Sequence, residues 1–136
     1  MIEIIIVLSL MLLVVGLSAV YYANSLPKFR LNATTREVTA DLRKARALAR
    51  IQNEKQTVFF DLDQRTFGVA KAKKHQIPEG ISIRIIHPNT GEITKGSAFI
   101  VFYPTGGTEG YSIVLSNEKQ THTIQIDPVV GAAVVR

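Results

Sequence analysis

One carboxylate stands at the head of a long apolar run, and it is the side chain of this sequence most suggestive of a specific chemical role. Glu3 precedes twenty uncharged residues, 4–23. An ionisable group at membrane depth is costly and usually has a function there. The dipole of a helix N-terminus would favour the same carboxylate by about 0.3–1 kcal/mol at an exposed site, without any burial. The residues alone leave both explanations of Glu3 open.

A row of four arginines is the second candidate, spaced so that a helix would gather them on one face: Arg36, Arg43, Arg46 and Arg50. Such a face could contact an acidic partner or the phosphates of a nucleic acid. It could equally be a solvated surface, on which Glu37 and Asp41 are local charge partners worth tenths of a kcal/mol per pair. The spacing does not choose between the two.

The other ionisable and glycine-rich patterns predict no enzyme, no metal site and no cofactor site. His75, His87 and His122 have no carboxylate or second histidine at metal-ligand spacing, so we expect solvated or packed histidines. The two aspartates in 61–63 lack the glycine and the distant glutamate of an EF-hand loop. The glycine-rich stretch 105–110 leads into a predicted strand, whereas a phosphate-binding loop leads into a helix. No serine lies in a nucleophile-elbow pattern.

Composition limits the chain to one globular domain beside the apolar run, because residues 28–136 suffice for a single core. The basic side chains are concentrated near its start. Residues 28–56 contain eight basic and three acidic side chains, whereas residues 57–136 contain eight and seven. The first of these stretches is therefore the part suited to an anionic partner. The sequence has no cysteine, which excludes a disulfide framework.

The apolar run has the length of a transmembrane helix. At a rise of ~1.5 Å per residue it reaches about 30 Å, the thickness of the hydrocarbon core of a bilayer. A signal peptide would have a shorter apolar region, a basic segment before it and a small-residue cleavage site after it. Pro27 follows the run and is predicted to kink or interrupt the helix. We therefore divide the chain into a transmembrane segment, 1–27, and a domain, 28–136.

The domain begins with an amphipathic helix, predicted over 28–54. Its apolar face is marked by residues at three-four spacing: Leu31, Val38, Leu42, Ala45, Leu48 and Ala49. The rest, 57–136, is predicted to be rich in β-structure.

Alternating residues predict strands at 57–62, 65–70, 81–85, 98–103, 111–115, 121–127 and 133–135. Because no helix separates them, we expect antiparallel hairpins, one of which would join 98–103 to 111–115, and a turn at 88–91. The predicted fold class is α+β, with the long helix covering one face of an antiparallel sheet.

The opening Ile2-Glu3-Ile4-Ile5-Ile6-Val7-Leu8, followed by an apolar helix and Pro27, resembles the start of type IV pilins and pseudopilins. Mature chains of that family begin with Phe-Thr-Leu-Ile-Glu, so Met1 matches the leucine, Ile2 the isoleucine and Glu3 the glutamate. The family's phenylalanine, its threonine and the basic leader that a prepilin peptidase removes have no counterpart here. A start that differs from that of the native mature chain would explain this.

Three stretches, 37–49, 102–107 and 124–131, resemble the H-class minor pseudopilins of type II secretion and the related FimT minor pilins. The resemblance implies a single-pass protein of the bacterial inner membrane with a periplasmic domain. The implied partners are other pseudopilins, contacted through the N-terminal helix and the β-domain, the inner membrane before assembly, and prepilin peptidase acting on the precursor. The implied function is that of a subunit of the pseudopilus, which pushes folded proteins through an outer-membrane channel.

The resemblance also implies a role for Glu3. The acid would pair with the N-terminal amine of a neighbouring subunit and so offset the cost of both charges inside an apolar filament core. The FimT branch implies an alternative function, a minor pilin that binds DNA in natural transformation. Nucleic acid would then be a partner, and the four arginines or Arg136 would meet its phosphates.

Overall fold

The computed structural model describes residues 1–70 and 72–136, which form one helix followed by nine strands. The helix, α1, comprises Ile2–Gln52. The strands are β1 (Gln56–Asp61), β2 (Thr66–Val69), β3 (His75–Gln76), β4 (Ser82–His87), β5 (Gly91–Ile93), β6 (Ser97–Phe102), β7 (Ser112–Ser116), β8 (Thr121–Ile126) and β9 (Ala133–Val135). The predicted α+β class, with a long N-terminal helix and antiparallel strands, is confirmed.

The helix is continuous through Pro27. The predicted interruption at this residue is therefore wrong, whereas a kink there stays a prediction. Asn53 ends the helix in the left-handed conformation, with φ 53°, a conformation that asparagine tolerates better than most residues. The helix thus stops two residues before the predicted end at residue 54.

The second half of α1 buries one face against the strands. Five residues of the predicted apolar face are fully buried: Leu31, Val38, Leu42, Ala45 and Ala49. Leu48, which was predicted on the same face, is only half-buried. Thr35 and Thr39 are buried beside them, and their hydroxyls donate to the carbonyl oxygens one turn earlier, at 2.8 and 2.7 Å. These bonds satisfy the buried hydroxyls. The two threonines can therefore lie on the buried face, although hydropathy alone does not predict them there.

The strands form two antiparallel sheets, not one. The first sheet has the order β3-β2-β1-β6 and the second β5-β4-β7-β8-β9. The helix contacts β1, β2 and β6 of the first sheet and β7, β8 and β9 of the second. The expectation that it covers a single sheet is therefore wrong. The core lies between α1 and the inner faces of both sheets, around Phe60, Phe67, Phe102 and Ile113.

The predicted hairpin between 98–103 and 111–115 is also wrong, because its two strands belong to different sheets. β6 pairs with β1, with Phe60 opposite Ala98, and β7 pairs with β4 and β8. β7 therefore lies inside the second sheet, between β4 and β8, and its residues Ile113, Val114 and Leu115 are all buried. The predicted turn at 88–91 is confirmed as the connection from β4 to β5.

The segment between these two strands, residues 103–111, crosses from one sheet to the other as an ordered connection. Its backbone turns where the Gly106 N–H donates to the Tyr103 carbonyl at 2.8 Å. The Thr108 N–H then donates to the Pro128 carbonyl at 3.1 Å, and the Thr108 hydroxyl donates to the Val101 carbonyl at 2.7 Å. These bonds fasten the crossover to the edge of β6 and to the connection between β8 and β9.

Candidate functional site

The first candidate surface is the apolar segment of α1, which we define as residues 4–23. All of these residues are exposed in the folded chain, and the segment is long and apolar enough to cross a membrane. One side of it is a row formed by Val7, Leu10, Met11, Val14 and Val15. An exposed apolar surface of this extent marks a site of contact with lipid or with another protein.

Glu3 lies in the first turn of α1 and is exposed. Among the described residues no cationic group lies within 4 Å of its carboxylate. Its position at the N-terminus suits the helix dipole. The same position leaves the carboxylate available to a group from outside the chain.

The junction between the apolar segment and the domain is braced by the turn between β7 and β8, residues 117–120. The Asn117 side-chain amide donates to the Pro27 carbonyl at 3.1 Å, and Lys119 Nζ donates to the Asn24 carbonyl at 3.3 Å. The N–H that Pro27 lacks would have bonded to the Ala23 carbonyl. The turn donates to two other carbonyls of the same stretch, so it ties this part of α1 to the second sheet.

The four arginines do not form one surface, because two of them hold the loops of the domain. Arg46 Nε donates to the Val130 carbonyl at 2.8 Å. The Arg50 guanidinium lies against Gly106, where a Cβ atom would be 3.4 Å from Nε. Gly131 has a φ of 72°, and a Cβ there would overlap the Gly106 carbonyl oxygen. Arg46 and Arg50 therefore fix the place where the crossover meets the loop before β9.

The other two arginines line an open groove between α1 and the edge of the second sheet, which we call the helix–sheet groove. It has a volume of about 510 Å³ and is lined by Asn32, Thr35, Arg36, Thr39, Ala40, Arg43, His122 and Val135. No acidic side chain is among them. Arg36 and Arg43 are exposed, and among the described residues neither has a carboxylate within 4 Å.

Glu37 and Asp41, the expected charge partners of these arginines, face His75 instead. His75 Nε2 lies 3.4 Å from Asp41 Oδ2, and His75 Nδ1 lies 3.9 Å from Glu37 Oε2. Asp41 Oδ2 is buried without a hydrogen bond, since the contact with His75 is a charge contact without hydrogen-bond geometry. Burial raises the pKa of Asp41 above its ordinary value, and the charges of His75 and Lys44 oppose this. The contacts of His75 with Glu37 and Asp41 therefore join α1 to β3. The two carboxylates are directed to His75 and do not neutralise Arg36 and Arg43.

A second cluster of titratable groups, which the sequence did not indicate, joins the end of β4 to the crossover. His87 Nδ1 accepts the backbone N–H groups of Asn89 and Thr90 at 3.0 and 3.2 Å. Because Nδ1 is an acceptor, the N–H of the ring is at Nε2, which donates a hydrogen bond to Glu109 Oε2 at 2.7 Å. Tyr111 Oη donates to the same oxygen at 3.0 Å.

The bonds of this cluster explain its pKa values. The hydrogen bonds from His87 and Tyr111 lower the pKa of Glu109, while burial and the bond to Glu109 raise the pKa of Tyr111 to about 12. Every nitrogen of the His87 ring is engaged, so the cluster holds two loops together and offers no free base. His87 is 22 residues from Glu109 in the sequence, and the folding of the crossover brings it into contact with Glu109 and Tyr111.

The fold has a counterpart among solved structures. The crystal structure of the minor pseudopilin EpsH from the type II secretion system of Vibrio cholerae superposes with a TM-score of 0.63 and 10% sequence identity, covering 80% of this chain and 93% of EpsH. This chain has a pilin-like fold. No protein-family model and no curated protein sequence matches it. The similarity is thus one of architecture, the long N-terminal helix and the β-sheet domain, and it does not extend to the sequence.

Proposed function

We propose that this chain is a minor pseudopilin of a type II secretion system, a structural subunit of the periplasmic pseudopilus that drives protein export across the outer membrane. The observation that carries the proposal is the apolar segment of α1, which is fully exposed and continuous with a helix fixed in a folded domain. One surface of this kind can occupy a bilayer and later a bundle of helices. The pilin-like fold supports the same assignment. We assign the chain no catalytic role and no cofactor.

In this proposal residues 1–27 are the transmembrane and filament-core helix and residues 28–136 are the periplasmic domain. The chain is a single-pass protein of the bacterial inner membrane before assembly, and prepilin peptidase processes its precursor. Its partners in the filament are other pseudopilins. Small residues in the apolar segment support close packing there: at Gly16 a Cβ atom would meet nothing within 4 Å, so a neighbouring helix can approach the backbone.

Glu3 has the role of an assembly contact in this proposal. Its carboxylate is exposed and has no cationic group within 4 Å among the described residues, and it pairs with the N-terminal amine of the next subunit. An unpaired charge in an apolar filament core costs about 3–5 kcal/mol when its partner is removed. The pair therefore sets the register of one subunit against the next.

The test is secretion by cells that carry Glu3→Ala. We expect secretion to fail although the purified full chain in detergent unfolds at the same temperature as the unchanged protein, because Glu3 is exposed in the first turn of α1. Glu54→Ala, which removes an exposed carboxylate beyond the other end of the helix, is the matched control and should secrete normally. Normal secretion by Glu3→Ala would contradict the proposed role of this residue.

A second candidate function is a FimT-like minor pilin that binds DNA in natural transformation. The observation in its favour is that Arg36 and Arg43 are exposed in a groove without acidic side chains. Binding of a DNA duplex by the full chain in detergent should then weaken steeply with salt. Replacing both arginines by glutamine should reduce the slope of log K against log salt by about two, since each phosphate contact contributes about 0.9. Absence of salt-dependent binding would exclude this function.

A further inference from the structure

The helix–sheet groove lies beside β9, the last strand of the second sheet. Among the described residues β9 forms strand pairs only with β8. Arg136 exchanges both backbone bonds with Thr123, at 3.2 and 2.8 Å. In an antiparallel pair the residues alternate between bonded and non-bonded positions. The N–H and C=O groups of Val135 and Ala133 therefore point away from β8, toward the open edge of the second sheet.

The groove beside this edge is positive and rich in hydrogen-bond donors. Arg36 and Arg43 supply charge, and no acid lines the groove. The side chains of Asn32 and His122 have no hydrogen-bond partner among the described residues. An anionic segment that offers hydrogen-bond acceptors therefore matches the charge and the donors of this groove.

We propose that the helix–sheet groove is a docking site for an extended acidic segment of a partner protein, which adds a strand to the edge of β9 and places its carboxylates on Arg36 and Arg43. Strand addition supplies backbone bonds, and side chains on alternate residues supply specificity. The open edge favours a peptide over a nucleic acid. A phosphate oxygen can accept from an outward N–H, but it has no donor for the outward C=O groups of the same edge, whereas a peptide backbone supplies both. The proposal stands whether or not the chain assembles into a filament.

The spacing of the arginines fits such a segment. Seven residues of α-helix separate Arg36 from Arg43, an axial distance of about 10.5 Å. Side chains on one face of a strand recur every ~6.8 Å, so carboxylates two or four residues apart lie about 7 or about 14 Å from each other. The flexible arginine side chains span the difference. We expect a partner segment in which acidic and apolar residues alternate.

The experiment measures fluorescence anisotropy of a labelled hexapeptide, Thr-Glu-Val-Glu-Val-Thr, with the full chain in nonionic detergent. Arg36→Gln and Arg43→Gln should each weaken binding about tenfold, because each removes one charge-assisted hydrogen bond to a carboxylate of the peptide. Arg30→Gln, on the same helix but outside the groove, is the matched control and should not change the affinity. A peptide with lysine in place of glutamate should not bind.

Two variants test the strand edge itself. Val135→Pro removes an N–H that points away from β8, so the sheet stays paired while the edge loses its donor; binding should fall at least tenfold. The same peptide methylated on its valine nitrogens should also fail to bind, and this result does not depend on how the protein variant folds. Peptide binding that survives both changes would overturn the proposal. So would a DNA duplex that binds through Arg36 and Arg43, unaffected by Val135→Pro, when the peptide does not bind.

Discussion

The two halves of α1 belong to one continuous helix and have opposite surroundings. Residues 4–23 carry no charge and are exposed throughout. The second half carries nine charged side chains from Lys28 to Arg50 and buries Leu31, Val38 and Leu42 completely. Backbone structure is the same in both halves. The domain therefore buries only a narrow stripe of the helix in its own core. The more hydrophobic half stays exposed in the folded chain, as a surface suited to contact with lipid or with another protein.

The largest expected effect of this contrast is on stability. Leu42→Ala should lower the free energy of unfolding of the domain by about 2–5 kcal/mol, because it leaves a cavity beneath the helix. Leu12→Ala, the same change at a residue that is 72% exposed, should leave unfolding unchanged. Chemical denaturation of the full chain in detergent, followed by circular dichroism, measures both. Equal losses in the two variants would contradict the division of the helix.

A smaller effect is expected at the junction of the two halves. Asn117→Ala removes the donor to the Pro27 carbonyl and the acceptor of the Lys119 and Gln120 N–H groups, and should cost about 1–3 kcal/mol. Hydrogen exchange should also speed up around Pro27. Asn89→Ala is the control, because the structure gives the Asn89 side chain no such bond. An Asn117 variant with unchanged exchange near Pro27 would show that the turn does not brace the helix.

The arginines in the second half of α1 should differ in their contribution to stability. Arg46 is bonded to the domain, whereas Arg36 lines the helix–sheet groove. Arg46→Gln breaks the bond to the Val130 carbonyl and should destabilise the domain by about 0.5–1.5 kcal/mol. Arg36→Gln should change the stability by less than about 0.5 kcal/mol, as is usual for surface substitutions. Thermal unfolding of the two variants measures the difference. A loss at Arg36 as large as that at Arg46 would mean that the groove arginine also holds the fold.

The smallest expected effect is a difference in pH dependence between two carboxylates. Burial raises the pKa of Asp41 in the folded state, so the folded chain binds more protons and stability falls as the pH rises above about 3.8. Hydrogen bonds lower the pKa of Glu109, so its contribution is present above about 4.5 and is lost as the pH falls through the lowered value.

Asp41→Asn and Glu109→Gln should therefore change the denaturation midpoint in opposite directions at pH 6. Asp41→Asn should be more stable than the unchanged chain, because it removes the cost of a buried charge, and Glu109→Gln should be less stable. Both differences should shrink as the pH is lowered toward 3. Differences of the same sign would contradict the direction of the pKa shift of Asp41 or of Glu109.

The sequence predicts the parts of this molecule that depend on local periodicity. The buried residues from Leu31 to Ala49 and the apolar segment follow from spacing and composition. Periodicity of apolar residues does not predict the threonines of the buried face, because threonine is polar and becomes buried only when the helix carbonyls accept its hydroxyl. It does not predict the pairing of β6 with β1 either, since a loop between two strands does not show whether they lie in one sheet.

The candidate site was predictable to a smaller extent. The arginines were identified from their spacing, but their division into Arg46 and Arg50 on the loops and Arg36 and Arg43 in the groove depends on where the loop before β9 returns to the helix. The contact of His75 with Asp41 likewise depends on the path of the chain to β3. Glu3 and the apolar segment were evident because their exposure does not depend on how the strands pair.

The most direct test of the central claim is a crosslink from the apolar segment in cells that assemble the filament. The chain has no cysteine, so Leu10→Cys introduces a single thiol on its exposed row, and Lys95→Cys provides a control thiol on the domain. We predict that a short bifunctional reagent joins Leu10→Cys to another pilin-like subunit carrying a cysteine in its own helix, and that adding Glu3→Ala removes the product. A chain that reaches the membrane normally yet gives no crosslink from Leu10→Cys would contradict the account.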